Sequence, residues 1–369
     1  MPTIGDVQIS SRFALAPLAG VSDWPFRLLC RELGASMVCT EMVSSHGIVH
    51  GGDQTLTYLE RPPDEHPFQV QIFGEDIPVL AEAARLLLEH YGPIDMIDLN
   101  FGCPVKKVCS TGAGAAFLKE PARLEAAVRA VSLAVNVPVT VKLRSGWDDS
   151  ARNVVECAKA AEAGGAKKIG MHPRTRAQLY SGRADWTLIA KVKQAVQIPV
   201  WGSGDLFTAP AAMRMLAETG ADGARIARGA CGYPWIFREL DALERGEPLP
   251  PPPDVVEWRR VIDRHLDLAV QNHRGLYKLA GVARPGHKPK PLKEIRDPET
   301  SAIRELRKHL LWYTRHRRGG LAFRRIADKL TSVASVREAL DRYFPLDGSV
   351  PDEVRAEPAP SPVTAAESV

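Results

Sequence analysis

The chain contains no C-x-x-C pair, no long uninterrupted apolar stretch and few aromatic residues (7%). Its six cysteines, at 30, 39, 103, 109, 157 and 231, lie far apart, and none joins a histidine at zinc-ligand spacing. A disulfide framework and a structural metal are therefore not expected, and a reducing, cytoplasmic setting fits. No stretch approaches the roughly 20 apolar residues of a membrane span. The opening Met1-Pro2-Thr3-Ile4-Gly5-Asp6 carries neither a basic flank nor an apolar core, so a secretory signal is not expected. A G-x-G-x-x-G turn is also missing after the first strand candidate, where Ala16-Pro17-Leu18-Ala19-Gly20 stands instead. That counts against a doubly wound dinucleotide-binding sheet.

What is present is alternation. Apolar strand candidates at Arg12–Leu18, Met37–Met42, Phe68–Phe73, Met96–Phe101, Val139–Arg144, Lys167–His172, Pro199–Ser203 and Gly223–Arg228 are separated mostly by amphipathic stretches such as Trp24–Leu33, Ile77–His90 and Ala209–Thr219. Eight such units in about 240 residues predict an α/β fold, a (β/α)8 TIM barrel. The Pro-rich stretch around Pro248–Pro253 reads as a linker, and a small all-helical C-terminal domain is expected beyond it. The resulting division is 1–245 barrel, 246–253 linker, 254–345 basic helical domain and 346–369 disordered tail. Helices are expected at Val255–His273, Ser301–Arg315, Leu321–Leu330 and Val336–Tyr343, with a mobile loop over Arg274–Lys293.

Net charge is +4 but unevenly spread. Residues 254–345 hold 21 Lys/Arg against 11 Asp/Glu, whereas the first 253 hold 26 against 28. A basic helical segment with Arg307, Lys308 and His309 beside Trp312 and Tyr313 suits a polyanionic partner such as RNA. A solvated basic face over an aromatic core is the competing reading.

In a barrel the active site lies at the C-terminal strand ends, and polar residues gather there. They are Gln71, Asn100 with Cys103, Lys142 with Arg144, His172 with Arg174, Ser203-Gly204-Asp205, and Ala227-Arg228. Each alone has a plainer explanation: Cys103 as a small buried hydrophobe, His172 as a hydrogen-bonded core histidine, Lys142 as a surface residue. Convergence from six strand ends is harder to attribute to packing, because buried polar groups need partners. The glycine turns after strands 7 and 8 suit a phosphate, with Arg228 adding charge.

These residues resemble the tRNA-dihydrouridine synthases. The resemblance lies in Ala16-Pro17-Leu18-Ala19-Gly20-Val21-Ser22-Asp23 with Phe26-Arg27, in Gln71-x-x-Gly74, and in Asp98-Leu-Asn100-Phe-Gly102-Cys103-Pro104 with Lys106. It continues in Lys142-Leu-Arg144-x-Gly146-Trp147, His172-Pro-Arg174-Thr175-Arg176 and Arg228-Gly229-Ala230 with Pro234-Trp235. The basic helical segment is similar to that of the bacterial DusB-like branch. The resemblance implies an FMN-dependent barrel that reduces uridine in tRNA to 5,6-dihydrouridine, with NADPH as reductant. By position, Pro17, Leu18, Ala19, Gln71, Lys142, Ser203, Gly204, Asp205, Ala227 and Arg228 would hold FMN, with His172 near the flavin. Cys103 would give the proton to C5. Asn100, Lys106, Arg144, Arg174, Arg307 and Lys308 would meet the substrate. A monomer without metal or membrane attachment is expected. A small-molecule flavin enzyme of the dihydroorotate dehydrogenase kind, and an RNA-binding protein without catalysis, remain as alternatives.

Overall fold

A computed structural model describes residues 2–62, 65–279, 297–349, 351 and 354. After a two-stranded N-terminal hairpin, β1 (Thr3–Ile4) and β2 (Val7–Gln8), nine strands follow. They are β3 (Phe13–Leu15), β4 (Val38–Cys39), β5 (Val43–Ser44), β6 (Phe68–Phe73), β7 (Met96–Phe101), β8 (Val139–Arg144), β9 (Lys168–His172), β10 (Val200–Gly202) and β11 (Gly223–Ile226). All pairings among these nine are parallel, in the spatial order β3-β11-β10-β9-β8-β7-β6-β4, with β5 also on β6. A parallel bridge between Ala14 and Met37 joins β3 to β4 and closes the cylinder. This is the expected (β/α)8 barrel. Its second strand is split, because the chain leaves the ladder over Thr40–Met42 before β5 resumes it. The N-terminal hairpin, with only two residues per strand, had no sequence signal long enough to read.

The helices begin where local chemistry starts them. Asp23, Asp76, Thr208 and Asp297 each accept a backbone N–H in the following first turn, and each helix carries proline at its first or second position. Side-chain capping and a pre-set proline φ favour a helix start at these points. The helix from Thr187 to Ala195 packs between its neighbours Val154–Ala163 and Ala209–Thr219, as an outer barrel layer requires.

Beyond the linker the helices are Val255–Leu279, Pro298–Thr314, Gly320–Ile326 and Val333–Tyr343. The first runs past the expected end at His273 through Leu279, so Arg274–Leu279 are helical where a loop was expected; the rest of that expected loop lies in residues 280–296, outside the described ones. These helices share a second core with the barrel's first helix: Trp24, Leu29 and Trp235 pack with Trp258, Ile262, Leu306 and Leu340. Val354 is buried in the same core, whereas residues 346–349 are exposed. Among the described residues no helix is long and apolar enough to cross a membrane, and no group of three or more His, Cys, Asp or Glu could hold a metal ion.

Candidate active site

The barrel interior is polar. Along β6 to β9 the inward positions carry Gln69 and Gln71, Asp98 and Asn100, Thr140, Lys142 and Arg144, then Lys168 and His172. Arg225 of β11 joins them, hydrogen-bonded across the barrel to Gln69. The strand register sets the upper members side by side: Asn100 opposite Lys142, and Arg144 opposite His172.

Cys103 stands on the turn after β7. The Asn100 Oδ1 accepts from the N–H groups of Gly102 (3.1 Å) and Cys103 (2.8 Å), and its Nδ2 donates to Gln71 Oε1 at 2.7 Å. Asn100 therefore spends its carbonyl on the turn and can offer a ligand only an N–H. Gly114 closes the turn from below. Its φ is +59°, and a Cβ there would lie 3.0 Å from the Cys103 carbonyl oxygen. The Cys109 thiol donates to that same oxygen at 3.2 Å, so Cys109 braces the turn. Burial pushes the Cys103 thiol above its ordinary value, against the lowering influence of the Val105 backbone, Lys142 and Arg144.

Lys142 makes no hydrogen bond to any described residue. Burial, with Arg144 and Arg225 nearby, lowers its ammonium to about 8. His172 is buried and held well below its ordinary value by that burial and by Arg144 and Lys142, so it is a neutral imidazole. The Ser203 hydroxyl donates to Met171 O, so Nδ1 of His172, 3.4 Å from Ser203 Oγ, is the protonated nitrogen. The Nε2 is left as a buried acceptor without a partner.

Lys142, Arg144, His172, Ser203, Gly204, Asp205, Ala227 and Arg228 line one cavity together with Pro17 and Leu18. Its volume is about 70 Å³. Gly204 has φ +106°, and a Cβ at Gly229 would sit 2.2 Å from Leu206 O, so both turns are glycine by necessity and keep the backbone open to a ligand. The Asp205 carboxylate does not face the cavity unpaired. It accepts two bonds from Arg174 (2.8 and 2.9 Å) and one from Ala184 N–H, with Arg228 3.5 Å away. Phe207 and Arg228 also border two larger cavities, of about 780 Å³ against the helical region and about 1120 Å³ along the outer barrel.

Other expected residues stand apart from the cavity. Gln71, Asn100 and Cys103 do not line it, and Lys142 is the link, lining the cavity while its charge acts on the thiol. Ala19 and Lys106 are exposed. Arg144 is held by the carbonyls of Gly102, Thr175 and Leu179, and Arg174 by Asp205 and the Ser181 and Gly182 carbonyls. Arg307 donates to the carbonyls of Asp328 and Leu330, whereas the Lys308 charge acts on Asp23, Glu41 and Glu305. Tyr180 had not been singled out. It is half-exposed over the cavity, between Arg144 and Arg228. Its place just beyond the Arg174-Thr175-Arg176 run was the only available signal.

Cylinder, glycine turns and converging cations define a (β/α)8 barrel whose last two strands run into glycine turns beside Arg228. The chain belongs to the dihydrouridine synthase family, whose sequence model matches residues 14–284. It is 40% identical over 340 residues to a Pseudomonas aeruginosa protein named tRNA-dihydrouridine synthase B, covering 91% of this chain and 94% of that one. It is 37% identical over 342 residues to the synthase B of Salmonella typhimurium, covering 92% and 98%. These likenesses place it beside the bacterial B branch. Among solved structures, a 2-naphthoyl-CoA reductase bound to 2-naphthoyl-CoA aligns with TM-score 0.52 at 12% identity, over 67% of this chain and 52% of that one, a likeness of fold.

Proposed function

We propose that the protein reduces uridines in tRNA to 5,6-dihydrouridine in the cytoplasm, with FMN at the barrel mouth and NADPH as reductant. The observation that carries this reading is the largely buried Cys103 thiol on the turn after β7, within the field of Lys142, at the mouth of a dihydrouridine synthase barrel.

The residues present fit FMN. The glycine turns and Arg228 suit its phosphate. The orphaned Nε2 of His172 suits an imide N–H, and Lys142 an electron-rich carbonyl. With the phosphate at these turns, the ring would lie over the barrel mouth. When bound and reduced, the flavin supplies the hydride that adds to uracil C6. The chain's own work is then proton delivery. A donor must stay protonated at working pH yet release readily. Burial keeps Sγ–H protonated, while Lys142 and Arg144 favour the thiolate left after the proton moves to C5. This is the opposite tuning from a nucleophilic cysteine. Asn100 would offer a uracil carbonyl the N–H that otherwise meets the Met42 sulfur at 3.7 Å.

The barrel, residues 1–245, is the catalytic domain in this reading, and residues 254–345 bind tRNA. Exposed Arg304, Arg315, Arg324, Arg325 and Lys329 supply charge, and the 780 Å³ cavity adds Trp312, Tyr233 and Arg317. The test is NADPH oxidation by the FMN-loaded protein with and without tRNA. Turnover that requires tRNA is expected; equal turnover with orotate or free uracil would overturn the assignment.

A further inference from the structure

Below the mouth, from Gln71 downwards, lies a set of charged and polar groups whose lower members, Asp98, Thr140, Lys168 and Arg225, the proposed chemistry leaves unused. The register sets Gln71, Asp98, Thr140 and Lys168 side by side, and each is almost completely buried. Asp98 is the hub. One carboxylate oxygen accepts from Gln71 Nε2 at 2.7 Å, the other accepts from the Thr140 hydroxyl, and Arg225 Nη1 approaches to 3.6 Å. Burial alone would raise this carboxyl, but Arg225, Lys168 and the two hydrogen bonds outweigh it and hold Asp98 ionised. Arg225 in turn donates to Gln69 Oε1 at 2.7 Å. Gly170 makes room for it, since a Cβ there would lie 3.0 Å from the guanidinium.

A carboxylate can only accept hydrogen bonds. Gln71 must therefore turn its amide nitrogen down to Asp98 and its oxygen up to Asn100. Asn100 must then donate to Gln71 and keep its oxygen for the N–H groups of Gly102 and Cys103. The charge at the barrel centre is thus relayed, through two amide orientations, to the backbone that carries the thiol.

We propose that Asp98 and Arg225 are positioning residues that fix the Gln71 and Asn100 amides and so seat the Cys103 turn. This rests on the reading of Cys103 as proton donor, but its test needs neither flavin nor RNA. The rate of Cys103 alkylation is followed against pH in the flavin-free protein, by mass spectrometry of the Cys103 peptide. The proteins compared are wild type, Asp98→Asn, Gln71→Leu and the double variant. Each single variant is expected to speed alkylation by about fivefold, and the double no more than either single, as groups acting in series behave. Thr140→Val removes a bond from the same carboxylate but leaves its charge and its bond to Gln71, and is expected to alkylate at the wild-type rate. Cys157, remote and fully buried, reports general loosening and should stay unreactive. Should Asp98→Asn not fold, Arg225→Gln takes its place with the same expectation. Wild-type rates in the single variants, multiplying effects in the double, or equal acceleration at Cys157 would overturn the proposal. If the relay holds but wild-type protein makes no dihydrouridine, it is the functional reading that fails.

Discussion

Lys142 offers a pH test whose size follows from its surroundings. Burial and the neighbouring guanidiniums lower its ammonium from 10.5 to about 8. A group with that pKa is about nine-tenths charged at pH 7 and about one-tenth charged at pH 9. An anion or polarised carbonyl selects the charged form, so FMN binding above pH 8 must take up a proton. The Kd for FMN should rise by about tenfold between pH 7 and pH 9. The phosphate does not confuse the window, because its second ionisation lies near 6, about one unit below it. For the flavin-free fold the sign is opposite. The unfolded chain holds the lysine proton up to about 10.5, so this group's contribution to stability rises with pH between about 8 and 10.5. The assay is quenching of FMN fluorescence on titration with protein at fixed ionic strength. Lys142→Met should bind FMN weakly with a Kd that stays flat over the same interval. A flat wild-type curve, or an equal slope in the variant, would refute the reasoning.

Three further outcomes are expected. Gly204→Ala forces a side chain into φ +106° with its Cβ 2.9 Å from Ala184 and 3.0 Å from the Pro173 ring. Backbone strain and overpacking together should cost about 2–5 kcal/mol in urea unfolding, and a loss under about 0.5 would contradict the geometry. Arg27→Met strands the carboxylate of Glu65, its fully buried partner at 2.8 Å. The urea midpoint should fall by the equivalent of about 3–5 kcal/mol, much of it regained when Glu65 is also made apolar. Arg307 and Lys308 should separate. Arg307→Ala loses two bonds to carbonyls and destabilises the helical region by about 1–3 kcal/mol with little change in tRNA affinity. Lys308→Ala should lower tRNA affinity and flatten the log–log salt slope by about one unit; the reverse pattern would sink the assignment.

The barrel was legible because its signals are local. An apolar run, a glycine or proline turn and a helix recur around the barrel, and capping side chains at Asp23, Asp76 and Thr208 mark three of the helix starts. That polar residues gather at the barrel mouth was legible for a related reason: at strand ends they have only one place to go in a closed parallel cylinder. What the residues do to one another was not. Asp205 looked like part of a phosphate turn, yet its carboxylate holds Arg174, a partner 31 positions away in the chain. Arg307 looked like a free cation and is bound to a neighbouring turn. Cys109 gave no sign that it braces the Cys103 turn. Asp98 and Arg225 read as ordinary strand residues, because nothing local reveals that a side chain points into a barrel rather than outwards. Each of these depends on contacts between distant segments and on which end of an amide faces which neighbour. The break in the second strand and the helical run to Leu279 were missed for the simpler reason that element ends carry weak signals.

The central claim is that the Cys103 sulfur hands its proton to C5 of a uracil. The most direct measurement is a single-turnover reaction in deuterated water with FMN-reduced protein and tRNA, scored by mass spectrometry of the modified nucleoside. Wild-type protein should place one solvent-derived deuterium at C5. Cys103→Ala should bind tRNA and accept electrons from NADPH as before, yet form product about two to four orders of magnitude more slowly. Product at the wild-type rate from the alanine variant would contradict the account.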